Sequence, residues 1–470
     1  MQDSHHQIVL LIKRYVLAFF ALFSAFSTAI ADGVAEAGLT VLSIITVNAE
    51  EPTCDYVFAP EGAFGISITN QNTVAASATL TNNGKTIYDS SPYSAKNSGL
   101  TIKIRGNTST YYSSKKPYKI KLETKGDMLG RSEDKLADKN WILIDSGGDD
   151  LNTMIGLKMN EIMGLGGWTP AYMFVNLFMN GDYRGVYMLL ESIRRNPDCR
   201  LNVDKRTGYI IECDAYWWNE DKYFATDSDR KYTFKYPDEE DVTNQQIDYI
   251  RQTMNTVEQT IADGTYPDFI DVNSFATWLL AHDILGTYDS GGANIYLTKF
   301  DNTNTSKITL STLWDFGSIM KSEDCWARIH TDSFFYFDQL IHNSNNTFIS
   351  TYLELWNKKS NQLFDKIIQF LNDFSVSSTA MALAKSRPYD AQRWGYEAST
   401  VEENIQQALA WFTYRKQWMS QHVETNNIIN YQLSVTASLK TYNLKGQIVN
   451  NANNAGIYIQ NGKKFIQRLR

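Results

Sequence analysis

The first third of the chain alternates apolar and polar positions with a period of two. The alternation is clearest at residues 65–68, 101–104 and 118–122. Such alternation is typical of β-strands that bury one face. Asn82-Asn83-Gly84-Lys85 supplies residue types that favour a turn between two short strands. This part of the chain is therefore predicted to form a β-sheet.

A β-hairpin is the clearest local prediction. Two aromatic-rich apolar runs, at 172–179 and 183–190, are joined by Asn180-Gly181. Asn and Gly readily adopt the positive φ angles that a two-residue hairpin turn requires. A further strand is predicted at 208–212.

Helical periodicity dominates the second half of the chain. Helices are predicted at 150–163, 247–261, 274–284, 361–370 and 402–422. Gly164 ends the first of these helices. Thr243 with Gln246, and Thr400 with Glu403, form capping boxes at the start of two others.

Two late strands, at 294–299 and 308–314, interrupt the helices. A β-rich first half and a mostly helical second half predict an α+β fold with two lobes. Residues 54–425 are expected to form this main domain. The last part, 426–470, contains short hairpin patterns and is expected to be a separate small β-module.

The N-terminus carries the pattern of a secretory signal peptide. Lys13 and Arg14 precede an apolar run at 15–26, and small residues lead to Ala29-Ile30-Ala31. The run is too short for a stable membrane span. We therefore expect an exported protein, extracellular or on the outer cell surface, with a signal peptide at 1–31. Val47-Asn48-Ala49 offers a later cleavage site, and 32–53 is interpreted as a linker.

Composition is that of an ordinary globular protein with a sizeable core. Hydrophobic residues make up 43% of the 470 residues, and aromatic residues 13%. The net charge is −8, and no basic tract is present. Nucleic acid is therefore not an expected partner, because phosphate backbones are bound by clustered Lys and Arg.

Four cysteines are scattered along the chain, at Cys54, Cys199, Cys213 and Cys325. No C-x-x-C spacing is present, which argues against a zinc site. In an oxidising compartment, one or two disulfides are compatible with this number. Cys199 and Cys213 are the closest pair in sequence, and buried free thiols are the alternative.

Carboxylates follow several predicted elements of the second half. Asp283 and Asp289 flank the end of a buried helix, Gly291-Gly292 loosens the backbone, and Asp315 follows a strand. Aspartates so placed hold hard cations such as Mg²⁺. With a strand lysine they would serve phosphoryl transfer. A glycosidase acid and base, or ordinary helix caps, are the alternatives.

Six segments occur in an order and spacing that resemble the CotH-type (spore coat protein H) atypical protein kinase family, over about residues 55–340. The segments are Ile104-Arg105-Gly106-Asn107-Thr108-Ser109, Lys115-Lys116-Pro117-Tyr118-Lys119-Ile120-Lys121-Leu122, the hairpin from Leu177 to Glu191, Gly208-Tyr209-Ile210-Ile211-Glu212-Cys213-Asp214, Phe234-Lys235-Tyr236-Pro237-Asp238 and Leu313-Trp314-Asp315-Phe316. No single segment is specific, but the six together are.

The resemblance implies a secreted or surface kinase that uses ATP and Mg²⁺ or Mn²⁺ to phosphorylate Ser or Thr of a protein substrate. Carried over by position, Lys121 would contact the nucleotide phosphates, with Lys119 as its substitute. Glu191 would orient that lysine. Asp289 would accept the proton of the substrate hydroxyl.

The same resemblance assigns the metal to the late strands. Asp315 would be the principal metal ligand, and Asn294 would assist it. Three departures from the family pattern put catalysis in question. Gly317 stands where a second Asp is usual, Ile155-Gly156 where an Arg is frequent, and Ser192 where a Lys is usual. A catalytically degenerate surface protein that binds a partner or nucleotide is therefore the main alternative.

Two further expectations concern the rest of the chain. Trp217-Trp218 beside Asp214 and Glu220 would fit a carbohydrate-active enzyme if the rings lined a groove between opposed carboxylates. The C-terminal module resembles the sorting domain of proteins exported by the type IX secretion route. A small β-module that packs on the main domain is the alternative.

Overall fold

The computed structural model describes residues 33–131, 133–145, 151–288, 293–321, 326, 335–397 and 399–423, together with four strands between 441 and 467. The predicted signal peptide at 1–31, Asp289 and Cys325 lie outside the described residues.

An eight-stranded sheet in the first half curls into a β-barrel-like structure. Ten strands precede the middle of the chain: β1 (Thr40–Thr46), β2 (Asp55–Phe58), β3 (Ile66–Thr69), β4 (Val74–Asn82), β5 (Lys85–Asp89), β6 (Leu100–Ile104), β7 (Tyr118–Gly126), β8 (Asp138–Asp145), β9 (Tyr172–Met179) and β10 (Asp182–Glu191). The order in the sheet is β1-β9-β10-β8-β7-β6-β4-β5, and β1 pairs back onto β4. Strands β2 and β3 form a separate hairpin.

The apolar residues that recur with a period of two in the sequence fill the interior of the barrel. Alternate residues of β6 and of the first half of β7, such as Ile102 and Ile120, are buried in one apolar cluster inside the barrel. Alternation that matches the pleat fixes the register, because a slip by one residue would turn every apolar side chain outward.

Strand β1 corrects the interpretation of 32–53 as a linker. Thr40–Thr46 pairs antiparallel with β4 and parallel with β9, and Leu42 and Ile44 are fully buried in the barrel. The apolar stretch at 39–47 is therefore a barrel strand. Its short length and its position near a signal-like segment hid this role, because pairing with distant strands leaves no local signature.

The predicted Asn-Gly hairpin is confirmed. Asn180 and Gly181 have φ angles of 52° and 80°, the left-handed values expected for this turn. The turn also anchors β1, because the side-chain oxygen of Asn180 accepts hydrogen bonds from Thr46 N at 2.9 Å and Thr46 Oγ1 at 3.0 Å.

A second, five-stranded antiparallel sheet follows. Its strands are β11 (Tyr209–Cys213), β12 (Tyr223–Ala225), β13 (Lys231–Tyr236), β14 (Ile295–Lys299) and β15 (Ile308–Thr312), in the order β12-β13-β11-β14-β15. The predicted strands at 208–212, 294–299 and 308–314 are thereby confirmed. The hairpin patterns near the C-terminus are also strands, β16 (Thr441–Asn443), β17 (Ile448–Val449), β18 (Gly456–Gln460) and β19 (Lys463–Gln467), in a four-stranded sheet.

The predicted helices are present. The α-helices are α1 (Thr108–Tyr112), α2 (Asn152–Met163), α3 (Asn244–Asp263), α4 (Val272–Leu285), α5 (Phe337–Ile341), α6 (Thr347–Ser375), α7 (Ser378–Trp394) and α8 (Val401–His422). Both capping boxes form, at Thr243 with Gln246 and at Thr400 with Glu403. Within the described residues, no helix has the length and apolar character needed to cross a membrane.

The α+β class is confirmed, but a division into two kinase-like lobes is not clearly present. One apolar core contains Val186 and Met188 of the barrel's outer face, Leu297 of the second sheet and many residues of α4, α6 and α8. Because the helices and the second sheet pack directly on the barrel, the strands are not confined to one lobe.

A buried ion pair joins the barrel to the C-terminal helices. The ammonium of Lys115 lies 2.9 Å from Asp390 Oδ1 on α7, 2.7 Å from Asp145 Oδ1, and donates to Val186 O at 2.7 Å. Lys115 is 4% exposed and Asp390 is fully buried. Gly185 makes room for the carboxylate, because a Cβ there would lie 1.9 Å from Asp390 Oδ1.

Cys199 and Cys213 are buried free thiols in this structure, and Cys54 is a half-buried free thiol. The disulfide between Cys199 and Cys213, left open by the sequence, is thus not formed. Their positions explain why: Cys213 lies in strand β11, packed into the main core, whereas Cys199 lies in the loop before it.

Lys115→Met is expected to lower the free energy of unfolding by about 3–5 kcal/mol, because it leaves the Asp390 carboxylate buried without its cation. Urea denaturation followed by circular dichroism measures the change. Lys85→Met, at an exposed lysine of β5, is the matched control and should shift stability by less than about 0.5 kcal/mol. Equal effects of the two substitutions would contradict a structural role for the ion pair.

A chain that begins at Glu50 lacks β1 and is expected to lose the cooperative thermal unfolding transition shown by a chain that begins at Gly33. The reason is that β4 and β9 would then expose unpaired edges and the barrel core would open. Calorimetry of the two chains measures this. An intact transition in the chain that begins at Glu50 would refute the requirement for β1.

Candidate functional site

Charged side chains gather where the outer face of β6 and β7 meets the second sheet. We call this group the charged cluster. Its members are Lys103, Arg105, Lys119, Arg194, Glu212, Asp214, Lys235, Tyr296 and Asp315, which are linked by mutual electrostatic interactions. Ionisable groups brought together in a partly desolvated place are candidates for binding or catalysis.

Lys119 belongs to this cluster, whereas Lys121 lies further out. Both point outward from β7, and Lys119 is paired across the sheet with Lys103. Burial, followed by the nearby cations of Arg194, Lys103 and Lys235, lowers the pKa of Lys119 to about 7. Lys121 is exposed to solvent.

The structure does not bring Glu191 to Lys121. Glu191 is paired with Trp141 across β10 and β8, and Trp141 is paired with Ile120 across β8 and β7. Directly paired residues share a face of the sheet. Glu191 therefore lies on the Ile120 face, and Lys121, the next residue along β7, points to the opposite face.

Two arginines hold the Glu191 carboxylate instead. Its Oε1 lies 2.7 Å from Arg131 Nη2 and 2.6 Å from Arg200 Nη1, while Oε2 accepts from Trp168 Nε1 at 2.9 Å and from Ala171 N at 3.0 Å. These contacts make Glu191 a buried structural anion in the computed structure.

A different lysine–glutamate pair lies within the charged cluster. Lys235 Nζ is 2.8 Å from Glu212 Oε2. Burial raises the pKa of Glu212, with a smaller like-charge contribution from Asp214. Burial would lower the pKa of Lys235, but the carboxylates of Glu212, Asp214 and Glu220 outweigh it and keep the pKa above its ordinary value.

Arg105 extends the cluster toward the end of the second sheet. It directly follows β6, and its guanidinium interacts with Tyr296, Asp315 and Glu212. Burial lowers its pKa, but an arginine remains protonated at any physiological pH. Gly106 allows the chain to turn here, because its φ is 100° and a Cβ would lie 2.2 Å from Thr110 Oγ1.

Asp315 and Asn294, the predicted metal ligands, are brought together. Asn294 precedes β14 and Asp315 follows β15, and Asn294 Nδ2 donates to Asp315 Oδ2 at 2.9 Å. Their φ angles are 60° and 59°. Asn and Asp tolerate this left-handed region better than other non-glycine residues. Positive φ angles at two non-glycine residues that contact each other are a form of backbone strain that clusters at functional sites.

Helix α2 fixes the position of Asp315. Phe316 is buried against Gly156, where an added Cβ would lie 1.9 Å from its ring. The buried Asn160 accepts a hydrogen bond from Leu313 N at 2.9 Å. The departure at Ile155-Gly156 thus has a physical reason: a glycine is required there to seat the Phe316 ring.

The loop after Asp315 is joined to the end of α4. Tyr288 N donates to Ser318 O at 3.1 Å, and Met320 N donates to Leu285 O at 2.7 Å. Tyr288 is the residue before the predicted catalytic Asp289, which lies outside the described residues. Asp283 is fully buried and accepts a hydrogen bond from Tyr352 Oη at 2.7 Å, so it is structural.

The donor set fits a divalent metal that is held partly by phosphates. Among the described residues, no group of three or more His, Cys, Asp or Glu side chains is placed to hold a metal ion. Mg²⁺ commonly binds through one or two carboxylates together with substrate phosphates and water. The exposed Asp315 carboxylate and the Asn294 amide supply oxygen donors of this kind.

The tryptophans at 217–218 are packed rather than arranged along a groove. The Trp217 ring lies 4.8 Å from Tyr223 and 5.0 Å from the Lys231 ammonium. Trp218 Nε1 donates to Phe64 O at 3.1 Å. Asp214 is buried and accepts from Thr233 Oγ1 at 3.0 Å. Nothing in this arrangement opposes two carboxylates across an open groove, so the carbohydrate-active alternative gains no support.

A cavity of about 710 Å³ lies elsewhere, between the turn that joins β12 to β13, helix α3 and helix α5. None of the predicted site residues lines it. We place the candidate site at the charged cluster because the predicted metal ligands and the perturbed ionisable groups meet there.

Comparison with known proteins gives one finding. The family described as CotH kinase protein matches residues 102–419, well over half of the chain. No curated protein matches the chain.

Sequence reasoning assigned no role to Arg105, Glu212 or Lys235, although all three lie in the segments that carry the resemblance. The sequence signal that could have indicated a role was a charged residue within or directly after an otherwise apolar strand pattern. That signal does not identify a site, because only the folded structure shows that the three distant segments meet.

Gly156→Ala is expected to lower stability by about 1–3 kcal/mol, because the new methyl group overlaps the Phe316 ring and forces the Asp315 loop to move. Thermal unfolding measures the loss. Gly317→Ala is the matched stability control, since a Cβ there would meet only Asp315 Oδ1 at 3.7 Å. A Gly156→Ala protein as stable as Gly317→Ala would show that the ring contact does not hold the loop.

Proposed function

Because the chain belongs to the CotH kinase protein family, we propose that it is an atypical protein kinase. It transfers the γ-phosphate of ATP to Ser or Thr hydroxyls of a protein substrate, with Mg²⁺ or Mn²⁺. The observation that carries the proposal is the charged cluster, where Arg105 interacts with Asp315 and Glu212, Lys235 pairs with Glu212, and Asn294 is hydrogen-bonded to Asp315.

Phosphoryl transfer needs mainly positioning and neutralisation of charge. Arg105, Lys119 and Lys235 offer three cations from two sheets to a triphosphate. A partly buried location strengthens each contact, because charges interact more strongly away from bulk water. The barrel and the helical part would thus act as the two sides of a nucleotide cleft.

Asp315 and Asn294 would hold the metal next to these cations. A bound Mg²⁺ or Mn²⁺ would supply positive charge that neutralises the phosphates. Asp315 would hold it through its exposed carboxylate, and Asn294 keeps that carboxylate in place through the 2.9 Å hydrogen bond. Asp289, three residues after Gly286 at the end of α4, would accept the proton of the substrate hydroxyl.

The main alternative is a degenerate family member that binds nucleotide or a partner without transfer. The departures at Gly156, Ser192 and Gly317 favour it, since they remove two cations and one carboxylate relative to the family pattern. The Phe316 ring occupies the space where a side chain at position 156 would lie. Ser192 Oγ donates a hydrogen bond to Asn140 O at 3.2 Å. Neither position therefore has room for a charged side chain of the family pattern.

We further propose that the protein is exported and works outside the cell, with residues 1–31 as signal peptide and the C-terminal module in a type IX sorting role. The sequence patterns of these two segments support this proposal.

Asp315→Ala is expected to reduce metal-dependent transfer of label from γ-labelled ATP to protein by at least about 100-fold, because it removes a charge that stabilises the transition state. Asp227→Asn, at an exposed aspartate of the turn between β12 and β13, is the matched control and should keep full activity. Absence of label with the unaltered protein, together with metal-dependent ATP binding, would instead support the degenerate alternative.

Lys119 should make ATP binding depend on pH. Its pKa of about 7 lies below that of an unfolded lysine, so its charge is gained as pH falls from 8 to 6. Arg194, Lys103 on β6, Asp238 and Lys235 on β13 are the charged groups that face it. Comparison of the unaltered protein with Lys119→Met cancels the titration of ATP itself. We expect the affinity ratio between the two proteins to rise at least threefold from pH 8 to 6; a constant ratio would contradict this.

A further inference from the structure

Lys235 occupies a special position in the second sheet. On β13 it is an extra residue, because Tyr236 pairs with Ile210 of β11 and Phe234 pairs with Ile211. A β-bulge of this kind re-aims a side chain and is frequent beside active sites. Here the bulge turns the ammonium onto Glu212, the next but one residue of β11 after Ile210.

Glu212 lies at the centre of the charged cluster. Its carboxylate binds Lys235 at 2.8 Å and interacts with the Arg105 guanidinium. Arg105 in turn interacts with Asp315. The lysine–glutamate pair is therefore connected, through one arginine, to the predicted metal ligand.

The lysines on β7 are less suited to a fixed phosphate contact. Lys121 is exposed, and Glu191, its expected partner, lies on the opposite face of the sheet with Arg131 and Arg200. Lys119 is surrounded mainly by cations, namely Arg194, Lys103 and Lys235, with Asp238 as the one nearby carboxylate that acts on it in the described part of the chain. Only for Lys235 does the structure give a lysine–glutamate ion pair in this cluster.

An ammonium held by one carboxylate keeps further N–H donors for another anion. The Lys235 side chain is 25% exposed, and Glu212 is 7% exposed. Glu212 thus fixes the ammonium, and the Lys235 side chain keeps partial exposure to solvent.

We infer that Lys235 is the lysine that contacts the phosphates of the bound nucleotide, and that Glu212 is the positioning residue that orients it. This inference rests on the proposed function and replaces the pairing of Lys121 with Glu191. The ligand class is a nucleoside triphosphate bound with its divalent metal.

The test measures binding of MgATP and of adenosine to the full chain by calorimetry. Lys235→Met and Glu212→Gln are each expected to weaken MgATP binding at least tenfold and to leave adenosine binding within twofold. The difference arises because only ATP carries phosphates. Lys85→Met, at the far edge strand β5, should bind both ligands like the unaltered protein.

If Lys235→Met unfolds because Glu212 is left buried without its cation, the double variant Lys235→Met with Glu212→Gln removes both charges and keeps the test open. It should show the same loss of MgATP affinity. Lys235→Arg should recover part of that loss, which a purely structural role in packing would not require.

Two results overturn the inference. One is MgATP affinity that survives Lys235→Met or the double variant; the other is a tenfold loss that follows Lys121→Met alone. A failure of the proposed function looks different, because the unaltered protein would then bind no MgATP or would bind MgATP without transferring label to protein.

Discussion

Closure of the barrel by β1 is the constraint on which the rest of the structure depends. Residues 40–46 pair on one side with β4 and on the other with β9, so the sheet closes around its apolar interior. The outer faces of β8 to β10 then form a surface against which the second sheet and the helices pack.

Burial of charge at this junction decides which residues come together. A charged group moved out of water must be paired or lose its charge. Lys115 meets Asp390 and Asp145, Glu191 meets Arg131 and Arg200, and Lys235 meets Glu212. The first two are closed by further protein contacts and tie elements together. The third lies in the charged cluster, where Arg105 interacts with both Glu212 and Asp315, and it is the pair for which a binding role is proposed.

The positions of the two predicted metal ligands depend on packing against other elements rather than on the local sequence around each ligand. Asp315 and Asn294 both have left-handed backbone conformations. Such conformations cost energy and persist only where the surrounding structure holds them in place. Phe316 seated on Gly156, and Asn160 bonded to Leu313 N, impose them from helix α2. The absence of a cation at Gly156 therefore reflects a steric requirement.

The sequence by itself determined the local elements and the family. Alternation at 101–104 and 118–122, the Asn180-Gly181 turn and the capping boxes at Thr243 and Thr400 act between residues a few positions apart, so they can be read along the chain. The α+β class follows from their order. The meeting of Asp315 with Asn294 was predicted as well, from the resemblance, which assigned both residues to the metal.

Only the tertiary structure decided the rest. It showed that 40–46 is a barrel strand, that Glu191 and Lys121 lie on opposite faces, and that Lys235 is paired with Glu212. Each of these depends on the register of strands far apart in sequence, and a shift of one residue would turn every side chain to the other face. No short-range pattern carries that register, so the partners of a charged residue are settled only when the sheets assemble.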